Sequence, residues 1–457
     1  MPLYICFMRY HIIACGGSIM HQLTIQLARL GNEVTGSDDE IFEPAYSNLQ
    51  RHQLLPQEMG WHPELLNNKI DIVIVGMHAK ADNPELARAK ELGLRLMSYP
   101  EFIFEHAKNK KRVAIAGSHG KTSTTAMVMH VLKEVGMPFD FLVGAKLEGF
   151  DYSLQLSDAP LMILEADEYP DSADNKLPKF LFYKPHIASI SGIAWDHVNV
   201  FPTFENYVHQ FDLFIDSLVD NATLIYNSED EILKNLCEQE KNENRLQLVP
   251  FHAHPFKDGS LVLANGDTVA IEIFGTHNLF NLSAAKIICL ELGIPESDFC
   301  KAIATFKGAA KRLQLIRRTD DNELYLDFAH APSKVKATVA AMKEKHPNRE
   351  LIACLELHTF SSLNEEFIGE YKGSLDAADI AIVFYDPHAF ELKRLPVLSP
   401  QAIIRAFGNN EIKTFSNPQQ LSTFIKRALD PDMDVLMMSS GNFGGLGMEQ
   451  LAKFLFD

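Results

Sequence analysis

The run Val113-Ala-Ile-Ala116 breaks at Gly117 and passes through Ser118-His119-Gly120-Lys121-Thr122-Ser123-Thr124 into a helical pattern, and no other stretch limits the fold so tightly. An apolar strand that ends on glycines and turns at once into a helix belongs to an α/β architecture with a buried parallel sheet. The same turn is a phosphate cradle. Small residues let successive backbone N–H groups converge on phosphate oxygens, and the helix N-terminus adds the positive end of its dipole. Lys121 brings a movable point charge, and Thr122 a hydroxyl suited to Mg²⁺. The leading glycine departs from the usual G-x-x-x-x-G-K-[ST] spacing, which would place it at Ile115 rather than Gly117.

The strand–helix alternation continues on both sides of this turn. Before it, a strand over Tyr10 to Ala14, the turn Gly16-Gly17-Ser18, a helix from Met20 to Leu30 and a strand from Glu33 to Gly36 make a βαβ start. Its loop is placed to receive a nucleotide, although the segment Ala14 to Met20 lacks the first and last glycines of the dinucleotide fingerprint. Further strands are expected at Ile70 to Val75 and Arg95 to Ser98, and the basic stretch Lys108 to Arg112 reads as a linker. The second unit continues through strands at Met162 to Ala166 and His186 to Ile190, with a β-rich insertion over Leu248 to Phe274. The third carries strands at Leu324 to Phe328, Leu351 to Leu355, Ile380 to Tyr385 and Val435 to Ser439. A chain of 457 residues holds two to four domains at roughly 100–200 residues each, and the pattern divides it into three, 1–108, 109–311 and 312–457.

Composition narrows the partners. With 46% hydrophobic and 22% charged residues the chain is that of a soluble globular protein, and no window of about 18 apolar residues could span a bilayer. The N-terminal segment has no basic region ahead of its apolar part, so a first strand is expected there rather than a signal peptide, with residues 1–7 as an upstream extension. Six scattered cysteines without C-x-x-C spacing read as reduced core residues, which points to the cytoplasm. A net charge of −18 argues against nucleic acid and anionic membranes as partners. An anionic substrate must therefore be held by local groups.

Several such groups follow apolar runs, where parallel strands deliver their C-terminal ends. Leu161 to Leu164 leads to Glu165-Ala-Asp167-Glu168. Beside a triphosphate, one or two of these carboxylates suffice for Mg²⁺, and spacing alone does not choose between Glu165 and Glu168; as an isolated segment this would be a solvated acidic loop. Ile187 to Ile193 leads to Trp195-Asp196-His197, where His197 could complete a second metal site or simply be a partnered polar residue. In Gly275-Thr-His277-Asn278-Leu-Phe-Asn281, the two amides lie one turn apart on a helix start and could read a base edge, or serve as an ordinary N-cap. A nucleotide switch without catalysis would use the phosphate loop but has no need of the acids and the Asp-His pair together.

Taken in order, Gly117 to Thr122, Glu165-Ala-Asp-Glu168-Tyr169, Asp196-His197, His277-Asn278-x-x-Asn281, Lys311-Arg312-Leu-Gln-Leu315 and Asp327-Phe-Ala-His330-x-Pro332 resemble the motifs of the Mur ligases over nearly the whole chain. The resemblance implies a Rossmann-like N-terminal domain for the UDP end of a UDP-N-acetylmuramoyl substrate, a central P-loop ATPase domain, and a Rossmann-like C-terminal domain that brings the amine. It implies ATP and Mg²⁺, with Gly117, Ser118, His119, Gly120, Lys121, Thr122 and Ser123 around the phosphates. On this basis Lys121, Glu165 and His197 are catalytic, and Thr122, Glu165, Glu168 and His197 are metal ligands. His277, Asn278 and Asn281 meet the adenine side, Arg312 the ATP phosphates, Asp327 a ribose hydroxyl, and His330 a phosphate or bound water. Ser18, Ile19, Met20 and Asp38 meet the UDP end. Within the family, Val34-Thr-Gly-Ser37-Asp38 and Met438 to Leu446 resemble members that join UDP-N-acetylmuramate to the tripeptide L-Ala-γ-D-Glu-meso-diaminopimelate; free L-alanine is the alternative amine. Lys393-Arg394 is a candidate basic site for the anionic peptide, or a solvated charge pair. A monomer or weak homo-oligomer is expected. The chain departs from the family pattern where Gly192 and Ala194 stand for the Asn and Glu that commonly precede the Asp-His pair, and where Ala331 stands for a second histidine.

Overall fold

The computed structural model describes residues 7–171, 177–195, 200–241, 245–308 and 312–457. Asp196, His197 and Lys311 lie outside the described residues.

The first sheet contains β1 (Arg9–Ile13), β2 (Glu33–Ser37), β3 (Ile72–Val75) and β4 (Arg95–Ser98), all parallel in the order β2-β1-β3-β4. The helix Met20–Arg29 connects β1 to β2. The last helix of this unit, Tyr99–Ala107, starts from a capping box in which the Ser98 hydroxyl accepts from the Glu101 N–H and the Glu101 carboxylate accepts from the Ser98 N–H.

The central sheet is built from β5 (Lys111–Ala116), β6 (Asp140–Leu142), β7 (Leu154–Gln155), β8 (Leu161–Glu165), β9 (Ile187–Ile190), β10 (Thr223–Asn227) and β11 (Gln247–Phe251), in the order β11-β10-β9-β5-β8-β6-β7. All neighbours run parallel except β6 and β7. Strand β5 lies mid-sheet and is buried on both faces, which explains its continuous apolar sequence. Alternation sends Ala114 and Ala116 into a core shared with the first unit, and Val113 and Ile115 toward the helices Lys121–Glu134 and Thr276–Glu291.

Beyond it, β12 (Phe256–Lys257), β13 (Ser260–Val262) and β14 (Thr268–Ala270) form a separate antiparallel sheet. The β-rich insertion is therefore shorter than expected from sequence, because its first strand pairs with β10 at the central sheet's edge. The third sheet has β15 (Gln314–Arg318), β16 (Glu323–Asp327), β17 (Glu350–Leu357), β18 (Ile380–Tyr385), β19 (Lys413–Phe415) and β20 (Met433–Met438), in the order β15-β16-β20-β17-β18-β19. Only β15 is antiparallel to its neighbour.

The basic stretch expected to be a linker is instead a tight junction. Only residues 108–110 separate the end of helix Tyr99–Ala107 from the start of β5 at Lys111, and Arg112 is only 4% exposed. Its guanidinium donates to the carbonyls of Ala107, Lys108 and Lys110 on the first side and of Tyr183 and Lys184 on the other. Arginine's fan of donors can satisfy several carbonyls where a lysine could not. Burial lowers the pKa of this guanidinium without threatening its charge. Among the described residues, no helix is long and apolar enough to cross a membrane.

Candidate active site

Strand β5 stops at Gly117, whose φ of +118° is open to glycine and costly for other residues. A Cβ there would lie 2.2 Å from the Ser191 hydroxyl and 2.8 Å from its backbone nitrogen. The loop is clamped to the end of β9. Ser118 donates its N–H to the Gly192 carbonyl at 3.0 Å, and the Ser191 hydroxyl donates to the His119 carbonyl. Gly120 then takes a left-handed φ of +72° as the N-cap of helix Lys121–Glu134, where no side chain caps the first turn. The N–H groups there remain available to an anion, with the helix dipole behind them. A Cβ on Gly120 would lie 2.0 Å from the Asn281 amide oxygen, so Asn281 packs onto the loop.

Lys121 bends back across the loop. Its ammonium donates to the Gly117 carbonyl at 2.8 Å and to the Glu168 carboxylate at 2.7 Å. Burial opposes the charge, but the carboxylates of Glu168, Asp167 and Glu165 outweigh it and raise the lysine above its ordinary range. Glu168 is almost completely buried and accepts a second bond from the Tyr207 hydroxyl at 2.9 Å. That phenol also bonds the Ser118 hydroxyl at 2.8 Å, which in turn accepts the Ala194 N–H at 2.9 Å. Tyr207 thus ties the loop to the lysine's counter-ion. The two glutamates are in this way separated by environment. Thr122 donates to Glu165 Oε1 at 2.8 Å, the other oxygen of Glu165 accepts the Gly144 N–H at 3.0 Å, and both side chains face the cavity.

One cavity of about 490 Å³ joins the three units. The phosphate-loop residues Ser118 to Ser123 form its floor, with Glu165 beside them. His277, Asn278, Asn281 and Arg312, Asp327 and His330 of the third unit, and Ser18 and Ile19 of the first unit also line it. The third unit touches the loop directly where His119 Nε2 meets the Ser333 hydroxyl at 2.7 Å, at the start of helix Pro332–Lys345.

Some expected side chains have local structural partners. The Asn278 amide donates to the Phe274 carbonyl at 3.0 Å, and Asn281 donates to Asn278 at 3.3 Å, so this pair braces the loop. Asp327 accepts the N–H groups of Leu313 at 2.6 Å and Ala329 at 2.7 Å, which fixes the turn after β16. Arg312 lies over the Phe328 ring at 4.9 Å. Among the described residues His277 Nδ1 is buried without a hydrogen-bond partner, and burial lowers the ring's pKa, which favours the neutral imidazole. His330 Nδ1 bonds the Phe328 carbonyl at 2.9 Å.

Two first-unit residues do not reach the cavity. Met20 opens its helix facing the core, and Asp38 turns inward to accept the Gly16 N–H at 2.7 Å. Burial pushes the Asp38 carboxyl up to about 6. Lys393 and Arg394 are also outside, with Arg394 ending helix Pro387–Lys393 in a left-handed conformation. Sequence reasoning missed Lys179 and Lys334, which line the cavity, and Tyr207 beneath it. For Lys179 a signal exists: it is a lone cation within the otherwise uncharged run Leu177 to Tyr183.

A glycine-framed anion cradle with a paired lysine, a hydroxyl–carboxylate couple beside it and a cavity shared by three α/β units together define the class as a phosphate-loop protein with its anion site at the junction of the units. Comparison with known sequences gives the family. Residues 9–111 match the family described as "Mur ligase family, catalytic domain", residues 115–289 the "Mur ligase middle domain", and residues 311–441 the "Mur ligase, glutamate ligase domain". The chain belongs to the Mur ligase family and is an ATP-dependent acid–amino-acid ligase. It is 28% identical to a UDP-N-acetylmuramate–L-alanine ligase of Sulfurihydrogenibium sp., with 98% of each chain covered. It is 27% identical to the UDP-N-acetylmuramate–L-alanyl-γ-D-glutamyl-meso-2,6-diaminoheptandioate ligase of Haemophilus influenzae, covering 97% of this chain and 98% of that one. Among solved structures, a murein peptide ligase from Psychrobacter arcticus superposes with a TM-score of 0.65 at 22% identity, covering 98% of this chain and 99% of that one. The UDP-N-acetylmuramate–alanine ligase of Thermotoga maritima gives 0.68 at 18% identity, with 98% of each covered. These two structures agree in fold.

Proposed function

We propose that this ligase joins UDP-N-acetylmuramate to the tripeptide L-Ala-γ-D-Glu-meso-diaminopimelate, releasing ADP and phosphate, in the recycling of cell-wall peptide. The observation that carries the ligation chemistry is the single cavity in which the phosphate loop faces both Ser18-Ile19 of the first unit and Asp327 to His330 of the third. The choice of peptide over free L-alanine rests on the resemblance of Val34 to Asp38 and of Met438 to Leu446, and on the relative from Haemophilus influenzae.

A carboxylate resists attack by an amine, because charge and resonance both disfavour it. The lactyl carboxylate first attacks the γ-phosphorus of ATP to give an acyl phosphate and ADP. The tripeptide's α-amine then adds to the acyl carbon and displaces phosphate. Lys121 and the open N-terminal turn of helix Lys121–Glu134 neutralise the phosphoryl oxygens, so their work is charge stabilisation and alignment. The hydroxyl of Thr122 and the carboxylate of Glu165 are hard oxygen donors 2.8 Å apart at the cavity, a set that fits magnesium. When bound there, Mg²⁺ supplies further charge neutralisation at the phosphates. Glu168 holds Lys121 in this assignment and is not the main metal ligand. The domain boundaries that suit this division are 1–108, 109–311 and 312–457, and the buried free thiols of Cys15, Cys237, Cys289, Cys300 and Cys354 suit a reducing cytoplasm.

The test is phosphate release with ATP, Mg²⁺ and UDP-N-acetylmuramate, comparing the tripeptide with L-alanine. Faster turnover with the tripeptide supports the assignment. Faster turnover with L-alanine would replace it by the reading that the relative from Sulfurihydrogenibium sp. favours. No turnover with either amine would remove UDP-N-acetylmuramate as the acid.

A further inference from the structure

Lys179 is an unusual group in this cavity. It precedes Phe180 at the start of the short 3₁₀ helix Lys179–Phe182, and its backbone N–H is fixed to the Tyr169 carbonyl at 2.9 Å. This places it where the last helix of the first unit, carrying Tyr99, meets the acidic strand end after β8. The side chain is only 11% exposed, yet its ammonium has a long ion pair, 3.5 Å to Asp167 Oδ2. Charged hydrogen bonds normally close to about 2.7–2.9 Å. Its other neighbours are the faces of Tyr99 and Tyr169, with centroids at 5.7 and 5.8 Å. Burial raises the phenols of Tyr99 and Tyr183, and the carboxylates of Asp167 and Asp171 add to it, so both stay protonated and uncharged. An ammonium carries three N–H donors, and among the described residues this one has no acceptor closer than Asp167 at 3.5 Å.

We infer that Lys179 is a substrate-binding residue that receives and orients the carboxylate of the acid substrate before it attacks ATP. The inference rests on the function proposed above and names the group that handles the nucleophile. Lys179 lines the cavity together with Ser18 and Ile19 on the sugar-nucleotide side and Lys121 and Thr122 on the phosphate side. A carboxylate passing between them would bring its single charge to the ammonium. Asp167, also on the wall, opposes a doubly charged diphosphate there more strongly than a carboxylate. The diphosphate instead suits the Ser18-Ile19 turn, where helix Met20–Arg29 starts without a side-chain cap. Lys179 moves no proton in this scheme: the carboxylate oxygen forms its bond to the γ-phosphorus while the bond to ADP breaks.

The discriminating pair of ligands is UDP-N-acetylmuramate and UDP-N-acetylglucosamine, which share the diphosphate and differ by the lactyl carboxylate. Calorimetric titration of wild type, Lys179→Gln and Lys179→Arg reads the difference, with ADP affinity as the control for folding. For Lys179→Gln we expect binding of UDP-N-acetylmuramate to weaken by about 10- to 100-fold, the worth of a charged hydrogen bond. UDP-N-acetylglucosamine and ADP should bind unchanged, and Lys179→Arg should recover part of the loss. Equal weakening of both sugar nucleotides would overturn the inference in favour of a diphosphate contact, and no weakening of either would overturn it outright. A wild type that binds neither would refute the acid substrate itself, and the inference with it.

Discussion

Replacing Glu168 by Gln tests the arrangement at the centre of the phosphate loop. The Lys121 ammonium, 15% exposed, is held at 2.7 Å by a carboxylate that is 1% exposed. Removing one partner of a fully buried pair costs about 3–5 kcal/mol. Here the amide still accepts the Tyr207 hydroxyl, and Asp167 and Glu165 continue to act on the lysine, so a loss of about 1–2 kcal/mol is expected. For a unit of about 150–250 residues that lowers the melting temperature by roughly 2–8 °C. Phosphate oxygens compete with Glu168 for the same ammonium. The variant has no such bond to give up, and ATP in EDTA should bind it about 5- to 30-fold more tightly than wild type, the same 1–2 kcal/mol seen from the other side. Asp167→Asn removes an equal charge without touching this bond and should give a smaller gain. Differential scanning fluorimetry and calorimetric ATP titration read both effects. An unchanged melting temperature with unchanged ATP affinity would show that Glu168 does not hold Lys121 in the empty enzyme.

Two further outcomes follow from geometry on the page. Gly120→Ala forces a Cβ toward the Asn281 amide oxygen at a φ of +72°, so ADP affinity measured by titration should fall at least about tenfold, and unchanged affinity would contradict the packing described for the loop. Asp38 has a carboxyl pushed up to about 6, mainly by burial, so its contribution to stability is fully present below the unfolded value of roughly 3.9 and is lost as pH rises through about 6. Asp38→Asn should therefore flatten the melting temperature between pH 4 and 7, and parallel curves for the two proteins would refute the shift.

The phosphate loop, the acidic strand end and most of the cavity wall were legible because their chemistry is local. Gly117 and Gly120 answer to backbone conformation, and Glu165 follows directly from the run that buries β8. Tyr207 was not legible. It meets Ser118 across 89 residues of chain, and nothing in its own helix marks it as polar machinery rather than core. Arg112 was misread for a related reason: a basic cluster usually stays in water, whereas here the preceding helix end and a loop 72 residues away supply carbonyls that cover the guanidinium. Asp38 stands at a strand end as expected, but the tight turn at Gly16 draws its carboxylate inward to a backbone N–H.

The Arg112 junction bears on how the chain can be cut, extended or recombined. Lengthening the segment 108–110 would pull carbonyl partners away from a buried cation, whereas the glycine turn at Gly266 has open space around it and closes only a small antiparallel sheet. A tag or inserted domain at 108–110 should therefore disturb ligation from a distance. The same insertion at Gly266 should leave it intact, and chimaeras that exchange the first unit must carry Arg112 and its partner loop as one cassette.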